Sequence, residues 1–563
     1  MSEADASSKS LHRNARLIGG LTLLSRVLGL VREGVAAHFL GAQSIAANAF
    51  AIAFLVPNLF RKLLGEGALS QAFIPLYAQA VRRGQTETGD PPADFAAGSV
   101  KLLAGLLIGL TIVGEIILAG GMIAYRGERA DVRLMLQFTA IMLPYVVLVC
   151  GGAFLSAILQ VHKRFGAPAF APVLLNVVHI AVVCGGAWWL GLRGHGDPLL
   201  PEVNALQTKL ALWLSIAVLV AGVLQVIVLL PALRAAGFRF RWRLPAWTTD
   251  TKKMLRLSLP VAMGAAVLQV SVALDKGISA GLMQGRTTSG EVVTHFDFFG
   301  HAVRYPMESG AVVRLNLAQL LYQFPLGIFA IAIATAIYPS LSTAAIAEDR
   351  GEFRRVVRQG VLATLWEGLP ASVGLMLVAA PAVRLLFQHG YITAHDADLI
   401  TRDTMFYAGG IWAYSMLQVI NRAYYALHDA RTPLVASVIN VVANVVVEVP
   451  LLWWLGEAAM AVGTLVSFSI QAIVMLWLLD RKVGGLGLKE LLRPTAKIGL
   501  ATAAMLGVCL LVRYSSVYPQ LTQTGWRASG QIVWGTQLLL LSGIGGGVYL
   551  LTTRLLGVRP FSQ

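Results

Sequence analysis

The sequence predicts an all-α integral membrane protein with about fourteen transmembrane helices, and three observations support this class. Of its 563 residues, 56% are hydrophobic and only 13% are charged, and the mean hydropathy is +0.68. These values lie outside the range of soluble globular proteins. Apolar stretches of about 20 residues, long enough to cross a hydrocarbon core as helices, recur along the chain. The alternating segments of about 10 residues that a transmembrane β-barrel requires are not seen.

Breaks at proline, glycine and charged residues divide the apolar sequence into fourteen predicted spans. The spans of the first half cover residues 17–40, 45–78, 98–124, 134–160, 170–192, 206–233 and 254–284. Those of the second half cover residues 314–345, 358–386, 402–427, 432–454, 457–480, 494–513 and 530–553. The basic first 16 residues are followed by an apolar stretch without a small-residue cleavage site, which indicates a retained first helix and not a signal peptide.

These spans are compatible with a division of the chain into two halves of six or seven helices. Residues 1–16 form a cytoplasmic tail and residues 17–235 the N-terminal half with spans 1–6. A basic cytoplasmic linker covers residues 236–256, and the C-terminal half with spans 7–12 covers residues 254–480. Residues 481–563 supply the additional spans 13 and 14 and a short cytoplasmic tail.

The distribution of charge predicts the orientation in the membrane. The net charge is +16, and clusters of Lys and Arg occur in alternate connections between spans. Basic connections lie on the cytoplasmic side, so both termini are expected there. The basic residues form no domain of their own, which favours contact with anionic membrane lipids over nucleic acid. The longest external connection, residues 285–313, has no role that the sequence identifies.

No residue pattern indicates an enzyme or a metal site. Cys150, Cys184 and Cys509 all lie in apolar stretches and lack the spacing of a metal site or of a disulfide framework. No nucleotide-binding or hydrolase motif occurs in the sequence. We therefore expect no catalytic site, no cofactor and no domain that hydrolyses nucleotides.

Two arginines in span 1 are the first candidate binding residues. Arg26, which follows Ser25, and Arg32 are separated by about 9 Å along a helix axis and by roughly 120° around it. An arginine at a helix centre costs about 2.5–3.5 kcal/mol on insertion scales, so each needs a reason to be there. We expect them to line a wide aqueous cavity. In the alternative interpretation, Arg32 and Glu33 lie near the outer end of the span and their side chains extend to the membrane–water interface. Arg26 is then paired with another side chain and does not bind a ligand.

Span 2 extends this cationic set. As an α-helix it would place Asn58, Arg61 and Lys62 on one face, with Lys62 able to pair with Glu66 at i, i+4. A solvated helix end would explain the same charges, but apolar sequence resumes at residues 69–77. Guanidinium groups match phosphate oxygens in bidentate geometry, so the set of Arg26, Arg32, Arg61 and Lys62 predicts an anionic ligand.

Other polar residues within spans have structural or gating interpretations. Asp275 and Lys276 in span 7 form a possible self-neutralising pair. Glu448 in span 11 shares a polar face with Asn440 and Asn444. Hydrogen bonding between helices explains each of these equally well.

Several motifs resemble the MurJ (MviN) lipid II flippase family. Those in spans 1 and 2 are residues 25–32 (SRVLGLVR), 49–54 (AFAIAF), 57–62 (PNLFRK) and 66–75 (EGALSQAFIP). Further matches are residues 163–172 with Asn176, 322–327, 338–342, 387–393, 422–426 and 429–433. The resemblance runs through spans 1–12, whereas spans 13 and 14 match only in position and hydrophobicity.

The resemblance implies a function. Members of this family belong to the multidrug/oligosaccharidyl-lipid/polysaccharide exporter superfamily and are fourteen-helix transporters of the bacterial inner membrane. They move lipid II by alternating access, in a cationic cavity that holds the lipid diphosphate. The family's arginines in spans 1 and 2 fall on Arg26, Arg32 and Arg61. Coupling to membrane potential or a monovalent cation, and contact with the cell-wall synthesis machinery, are further expectations.

Two positions depart from the family pattern. Asn48 stands where an acidic residue is common, and Leu320 stands where the family has an arginine. Arg314 lies six residues earlier, on a different helix face, and replaces that arginine only if the backbone bends.

The alternative functions are export of another polyprenyl-diphosphate oligosaccharide or of a drug, and a membrane scaffold that transports nothing. A drug antiporter predicts more carboxylates than arginines in spans 1 and 2, and the opposite is seen. A scaffold predicts that Arg26→Ala is tolerated.

Overall fold

The computed structural model describes residues 3–83, 92–127, 129–197, 199–238, 249–287, 291–515 and 530–558. Side-chain environments at residues 3–15, 65–72, 83, 93, 249–250, 259–265, 268 and 328–329 are outside that description. The chain forms two compact units, Met1–Tyr305 and Pro306–Gln563. The predicted halves at residues 17–235 and 254–480 remain a prediction.

The described part of the first unit is built mainly from long helices. They are α1 (Glu3–Leu40), α2 (Ile45–Phe60), α3 (Leu69–Arg83), α4 (Pro92–Ala124), α5 (Ala130–Met142), α6 (Tyr145–Val161), α7 (Gly166–Leu190), α8 (Pro201–Ala235) and α9 (Thr249–Gly281). A π-helical segment, Arg61–Ala68, joins α2 to α3. Helix α1 packs along α7, and α7 along α8, which places the first candidate arginines beside α7.

The second unit continues with another set of helices. They are α10 (Ala311–Pro325), α11 (Ile331–Ile346), α12 (Arg350–Leu386), α13 (Ala394–Gly409), α14 (Ile411–Ala426), α15 (Arg431–Leu455), α16 (Ala458–Lys482), α17 (Leu488–Tyr514) and α18 (Gly530–Leu555). A π-helical segment, Leu326–Ala330, joins α10 to α11. The core includes Val357 of α12, Ile420 of α14 and Leu479 of α16, all fully buried.

Every predicted span coincides with a helix, but four of them are not the single helices that the sequence predicted. The spans at 45–78 and 314–345 contain the two π-helical segments, the span at 134–160 breaks before α6, and the span at 402–427 breaks at Gly410. The α5–α6 break bends the chain by 41°. Pro144 and Pro325 lie at two of these sites, where a proline lacks the N–H that continues an α-helix.

The helices have the length and the surface of membrane spans. Among the described residues, nine helices are long and apolar enough to cross a membrane, or ten if the α5–α6 pair counts as one span. Large apolar side chains remain exposed on them, such as Ile116 and Ile117 of α4 and Trp454 of α15. In water such surfaces would drive association, whereas a bilayer covers them. The number of fourteen crossings and the cytoplasmic termini remain predictions.

The connection at residues 285–313 contains short strands that the sequence did not predict. Strand β1 (Gly285–Arg286) pairs with β2 (Val292–Val293), and β3 (His295–Phe298) pairs with β4 (His301–Arg304), both antiparallel. Arg129 holds the end of this segment, since its guanidinium donates to the Tyr305 hydroxyl at 3.2 Å and to the Asp131 carboxylate at 2.6 Å. The segment is therefore attached to the start of α5.

Candidate substrate-binding site

Arg32 on α1 is held in place by three neighbours. Its guanidinium donates to Asn176 Oδ1 at 3.2 Å, forms an ion pair with Glu33 and lies 5.7 Å from the ring centre of Phe54. The side chain of Arg32 remains 18% exposed. A guanidinium has five N–H donors, so these contacts fix its orientation without using all of them. Arg32 therefore keeps donor capacity for a further ligand, and its place in a cavity remains a prediction.

Asn176 connects α7 to two residues of α1. Its Nδ2 donates to the backbone oxygen of Ser25 at 2.9 Å, while its Oδ1 accepts from Arg32. His179, one turn further along α7, is buried and packs against the rings of Phe50 and Phe54. Asn176 thus bonds to Arg32, and Phe54, which packs with Phe50 and His179, contacts it through its ring. Ser25 takes part through its backbone oxygen.

Arg26 differs from Arg32 in its surroundings. Its side chain is exposed, and within the described part of the chain it has no hydrogen-bond or ion-pair partner. Among the described residues, Arg26 is therefore not paired as the alternative interpretation of span 1 expects. An exposed guanidinium without a partner remains available to an anion.

The α-helix in span 2 ends at Phe60, and the segment from Arg61 onward is π-helical. A π-helix closes i to i+5, so the residues no longer repeat on the 3.6-residue period of the prediction. Asn58 Nδ2 donates to the Phe54 backbone oxygen at 3.1 Å. Arg61 is half-buried and Lys62 is exposed, and each has an interaction partner. The side chain of Glu66, the predicted partner of Lys62, lies outside the described residues.

Two arginines of the cationic set act on a common neighbour. Arg61 and Arg32 both lie within electrostatic range of the buried Tyr145 hydroxyl on α6. That hydroxyl donates to Gln225 Oε1 on α8 at 3.3 Å. Residues from α1 and from the π-helical segment after α2 therefore approach one region of the first unit.

Asn48 has a structural role in the turn between α1 and α2. It is buried, and its Nδ2 donates to the backbone oxygens of Ala42 at 2.8 Å and of Ser44 at 3.0 Å. An aspartate at this position would set a carboxylate against two carbonyl oxygens. The amide therefore fits this turn, which gives a physical reason for the departure from the acidic family pattern.

Asp275 and Lys276 both lie on α9. Lys276 is buried, and Asp275 acts on it electrostatically, while the self-neutralising pair remains a prediction. Asp275 has at least one further interaction.

The charge of Arg314 is balanced by two carboxylates of the second unit. It is completely buried, forms a bidentate ion pair with Glu457 at 2.6 and 2.7 Å, and donates to Asp396 Oδ1 at 2.9 Å. Its Nη1 also donates to the Ser309 backbone oxygen at 3.0 Å. Four of its five N–H groups are thus engaged by the protein. Arg314 does not replace the arginine missing at Leu320.

Glu448 belongs to a polar network between α15 and α16. It is fully buried and accepts from Asn444 Nδ2 at 3.0 Å, while Ser467 on α16 contacts Asn444 Oδ1 at 3.4 Å. Gly463 allows this approach, since a Cβ there would lie 2.9 Å from the Glu448 Cβ. The network joins the two helices, which is the structural interpretation given above.

The sequence interpretation missed the buried carboxyl groups around Arg314. Asp396 lies in the predicted connection between the spans 358–386 and 402–427, and Asp403 lies at the edge of the second of these spans. Helix α13 begins earlier, at Ala394, so both residues belong to one helix. Their i, i+7 spacing on one face was the signal that could have identified them.

Comparisons with known proteins identify the family. The sequence model described as "Lipid II flippase MurJ" matches residues 36–522. The chain belongs to the MurJ family. The "Probable lipid II flippase MurJ" of Vibrio cholerae serotype O1 is 30% identical over 574 residues, covering 98% of this chain and 97% of that protein. The "Lipid II flippase MurJ" of Burkholderia cenocepacia is 30% identical over 434 residues, covering 75% of each chain.

Solved structures show the same fold. A structure titled "Lipid II flippase MurJ, inward closed conformation" matches with a TM-score of 0.70 and 20% identity, covering 96% of this chain and 98% of that chain. An inward-facing multidrug resistance MATE family transporter of the MOP superfamily matches with a TM-score of 0.61 and 15% identity, covering 84% of this chain and 98% of its own length. The predicted all-α membrane fold and the resemblance to MurJ are confirmed.

Proposed function

We propose that this MurJ family member is a lipid II flippase of the bacterial inner membrane. It moves the undecaprenyl-diphosphate-sugar-peptide from the inner to the outer leaflet by alternating access, for cell-wall synthesis. The observation that carries the proposal is the family match over residues 36–522, supported by relatives named as lipid II flippases that align along nearly the whole chain. No covalent chemistry is needed, so the protein acts as a transporter and not as an enzyme.

We propose that the lipid diphosphate is bound by Arg26, Arg32 and Arg61, with Lys62, Asn58 and Ser25 beside them. Asn176, Glu33 and Phe54 hold Arg32, so little side-chain entropy remains to be lost when a phosphate binds. Arg26 is exposed and has no partner in the described part, so it can turn toward a diphosphate oxygen. Bidentate guanidinium–phosphate pairs supply both charge and orientation.

The direct test is rescue of a bacterium depleted of its own lipid II flippase. The parent chain should restore growth, and Arg26→Ala, Arg32→Ala and Arg61→Ala should each reduce or abolish rescue at equal membrane expression. Arg355→Ala is the matched control, because Arg355 is exposed and pairs with Glu352 on its own helix. Rescue by all three arginine variants would contradict the proposed site, and failure of the expressed parent would contradict the proposed substrate.

A second candidate substrate is another polyprenyl-diphosphate oligosaccharide. Leu320 on α10 replaces a family arginine, and Arg314 is fully engaged by Glu457 and Asp396. One anchoring cation is therefore missing from the second unit. If the parent rescues poorly and Leu320→Arg rescues well, the natural substrate is a different lipid-linked glycan. If Leu320→Arg brings no gain over an efficient parent, lipid II is the substrate.

Membrane potential is the proposed driving force. Moving a net anion outward is favoured by an inside-negative potential at about 2.3 kcal/mol per charge per 100 mV. Dissipating the potential should therefore slow flipping in cells that depend on this chain. Flipping that is unaffected by a potassium ionophore would exclude this coupling and leave a monovalent cation as the alternative.

The flipped lipid must reach enzymes that use it on the outer face, so contact with the cell-wall synthesis machinery is also proposed. In-cell crosslinking from cysteines placed on the hairpin His295–Arg304 tests it. Absence of any crosslink to a cell-wall enzyme would argue against direct contact at this hairpin.

A further inference from the structure

A buried cluster of one arginine and three carboxyl groups lies inside the second unit. Arg314 is in the first turn of α10, Asp396 and Asp403 lie on α13, and Glu457 directly precedes α16. Arg314, Asp396 and Asp403 are fully buried, and Glu457 is 3% exposed. Water does not screen charges in such a place, so each must be balanced by its neighbours.

Two of the carboxyl groups are bonded as carboxylates. Both oxygens of Glu457 accept from the Arg314 guanidinium. Asp396 accepts from Arg314 through Oδ1, and its Oδ2 accepts from the backbone N–H and the hydroxyl of Thr393, at 3.1 and 2.8 Å. Hydrogen bonds from a cation and from backbone N–H groups favour the ionised form. Asp396 and Glu457 therefore carry the two negative charges of the cluster.

Asp403 is bonded differently. Neither of its carboxyl oxygens receives a hydrogen bond from an N–H or O–H group of the described residues. The nearest cation is Arg402, whose Nε lies 3.6 Å from Asp403 Oδ1 and whose side chain is 42% exposed. The Asp403 carboxyl also lies within hydrogen-bonding reach of Glu457, and Arg314 acts on it electrostatically. Two carboxylates in contact, with no donor between them, repel each other at full burial.

We propose that Asp403 is a proton-binding site, occupied in this conformation, and that its carboxylic O–H donates to the Glu457 carboxylate. A proton added to the Asp403 carboxylate breaks no other bond. The three carboxyl groups then carry two negative charges, which Arg314 and Arg402 balance. The proton resides on Asp403 and not on Glu457, because both Glu457 oxygens already face guanidinium N–H donors.

The position of this proton gives it a conformational role. Through Glu457 and Arg314 it connects α13 to the α15–α16 connection and to the start of α10. Loss of the proton leaves two buried, negatively charged carboxylates close to each other. Their repulsion favours separation of α13 from the α15–α16 connection and the start of α10. A transporter whose second unit rearranges during its cycle would bind and release this proton as it does so, whichever lipid it carries. The proposal therefore goes beyond the proposed function and does not rest on it.

Infrared spectroscopy of the purified full-length protein in lipid nanodiscs detects such a proton directly. At neutral pH the parent should show a carboxylic acid C=O stretching band that Asp403→Asn lacks. Asparagine has nearly the same shape, and its amide can donate to Glu457 as the protonated acid does, so this variant should fold. Asp398→Asn is the control, because Asp398 is 62% exposed and pairs with Arg384 at 2.9 Å. Glu367→Gln identifies any band from the half-buried glutamate of α12.

Thermal unfolding against pH provides an independent measurement. A proton held by the folded state and not by the unfolded chain is linked to stability that falls as pH rises. The Tm of the parent should therefore decrease more steeply above neutral pH than the Tm of Asp403→Asn. Identical infrared spectra for the two proteins, or parallel pH profiles, would overturn the proposal. Stabilisation by added Na⁺ in the parent but not in Asp403→Asn would assign the site to a metal cation and overturn it as well.

Discussion

At the scale of single residues, the arginines of this protein differ in how much of their hydrogen-bonding capacity the protein uses. Arg314 is fully buried between Glu457 and Asp396, whereas Arg26 is exposed and has no partner in the described part of the chain. Arg32 is intermediate, since it is oriented by Asn176 but still partly exposed. The burial of each arginine and the number of its partners therefore separate arginines that stabilise the fold from those proposed to bind a ligand.

Asn176→Ala should weaken binding of a diphosphate lipid by about tenfold or more, since a hydrogen bond to a charged group contributes about 1.5–3 kcal/mol. The physical reason is that Arg32 loses its acceptor on α7 and is no longer held in one orientation. Affinity in nanodiscs measures the effect. Asn176→Asp keeps an acceptor for Arg32 and should recover part of the lost affinity. Ser156→Ala is the control, because the Ser156 hydroxyl donates to the Gly152 backbone oxygen within α6. An affinity equal to the parent's would remove Asn176 from the site.

Asp429, in the connection between α14 and α15, should make stability depend on acid pH. Burial alone would raise the pKa of this carboxyl, but hydrogen bonds from Lys482 and Thr432 outweigh it and lower the pKa to about 2. A depressed pKa in the folded state stabilises the protein above the pKa of the unfolded chain, and this contribution is lost as pH falls. The relevant window runs from about pH 4 to about pH 2.

Denaturant unfolding in detergent across that window provides the measurement. The parent should lose more stability on acidification than Asp429→Asn, which lacks the ionisable group. Lys482→Met keeps the carboxyl and removes its cationic partner, so it should show a reduced slope. Equal slopes for the parent and Asp429→Asn would contradict the assignment.

At the scale of helices, glycines set how closely two elements approach. A Cβ at Gly368 of α12 would lie 2.8 Å from the Trp412 Cα on α14, against backbone that cannot rotate away. Gly368→Ala should therefore separate α12 from α14 and destabilise the protein by about 1–3 kcal/mol. Unfolding in detergent measures the change in free energy.

The same helix supplies the matched control. A Cβ at Gly374 of α12 would meet nothing within 4 Å, so Gly374→Ala should be neutral or stabilise the helix by up to about 1 kcal/mol. The two substitutions are chemically identical and lie six residues apart. If both changed stability equally, close packing of α12 on α14 would not be the cause.

At the scale of the whole molecule, the pattern of basic connections predicts the topology. In a background with Cys150, Cys184 and Cys509 replaced by alanine, a membrane-impermeant maleimide should label His301→Cys in intact spheroplasts. Arg350→Cys should be labelled only after the membrane is permeabilised, because its connection is predicted to be cytoplasmic. Lysed cells, in which both cysteines react, are the control for accessibility. The reverse pattern would invert the topology, and with it the direction proposed for transport.

The sequence determined the positions of the helices and the place of the unusual charges. Length and hydropathy are local properties, and the bilayer converts them into helices because every backbone polar group must be satisfied within the segment. For this reason each predicted span coincides with a helix or an interrupted helix. The free-energy cost of an arginine in an apolar segment also depends only on the sequence around it. For this reason Arg26, Arg32 and Arg61 stand out without a structure.

Only the tertiary structure decided which charges are paired and where helices break. The segment Arg61–Ala68 is π-helical, whereas the sequence predicted a continuous α-helix in span 2. Arg314 had no recognisable partner in the sequence, since Glu457 lies 143 residues away. The role of a buried charge depends on which helices fold against it, and a pairing between distant helices leaves no local pattern in the chain.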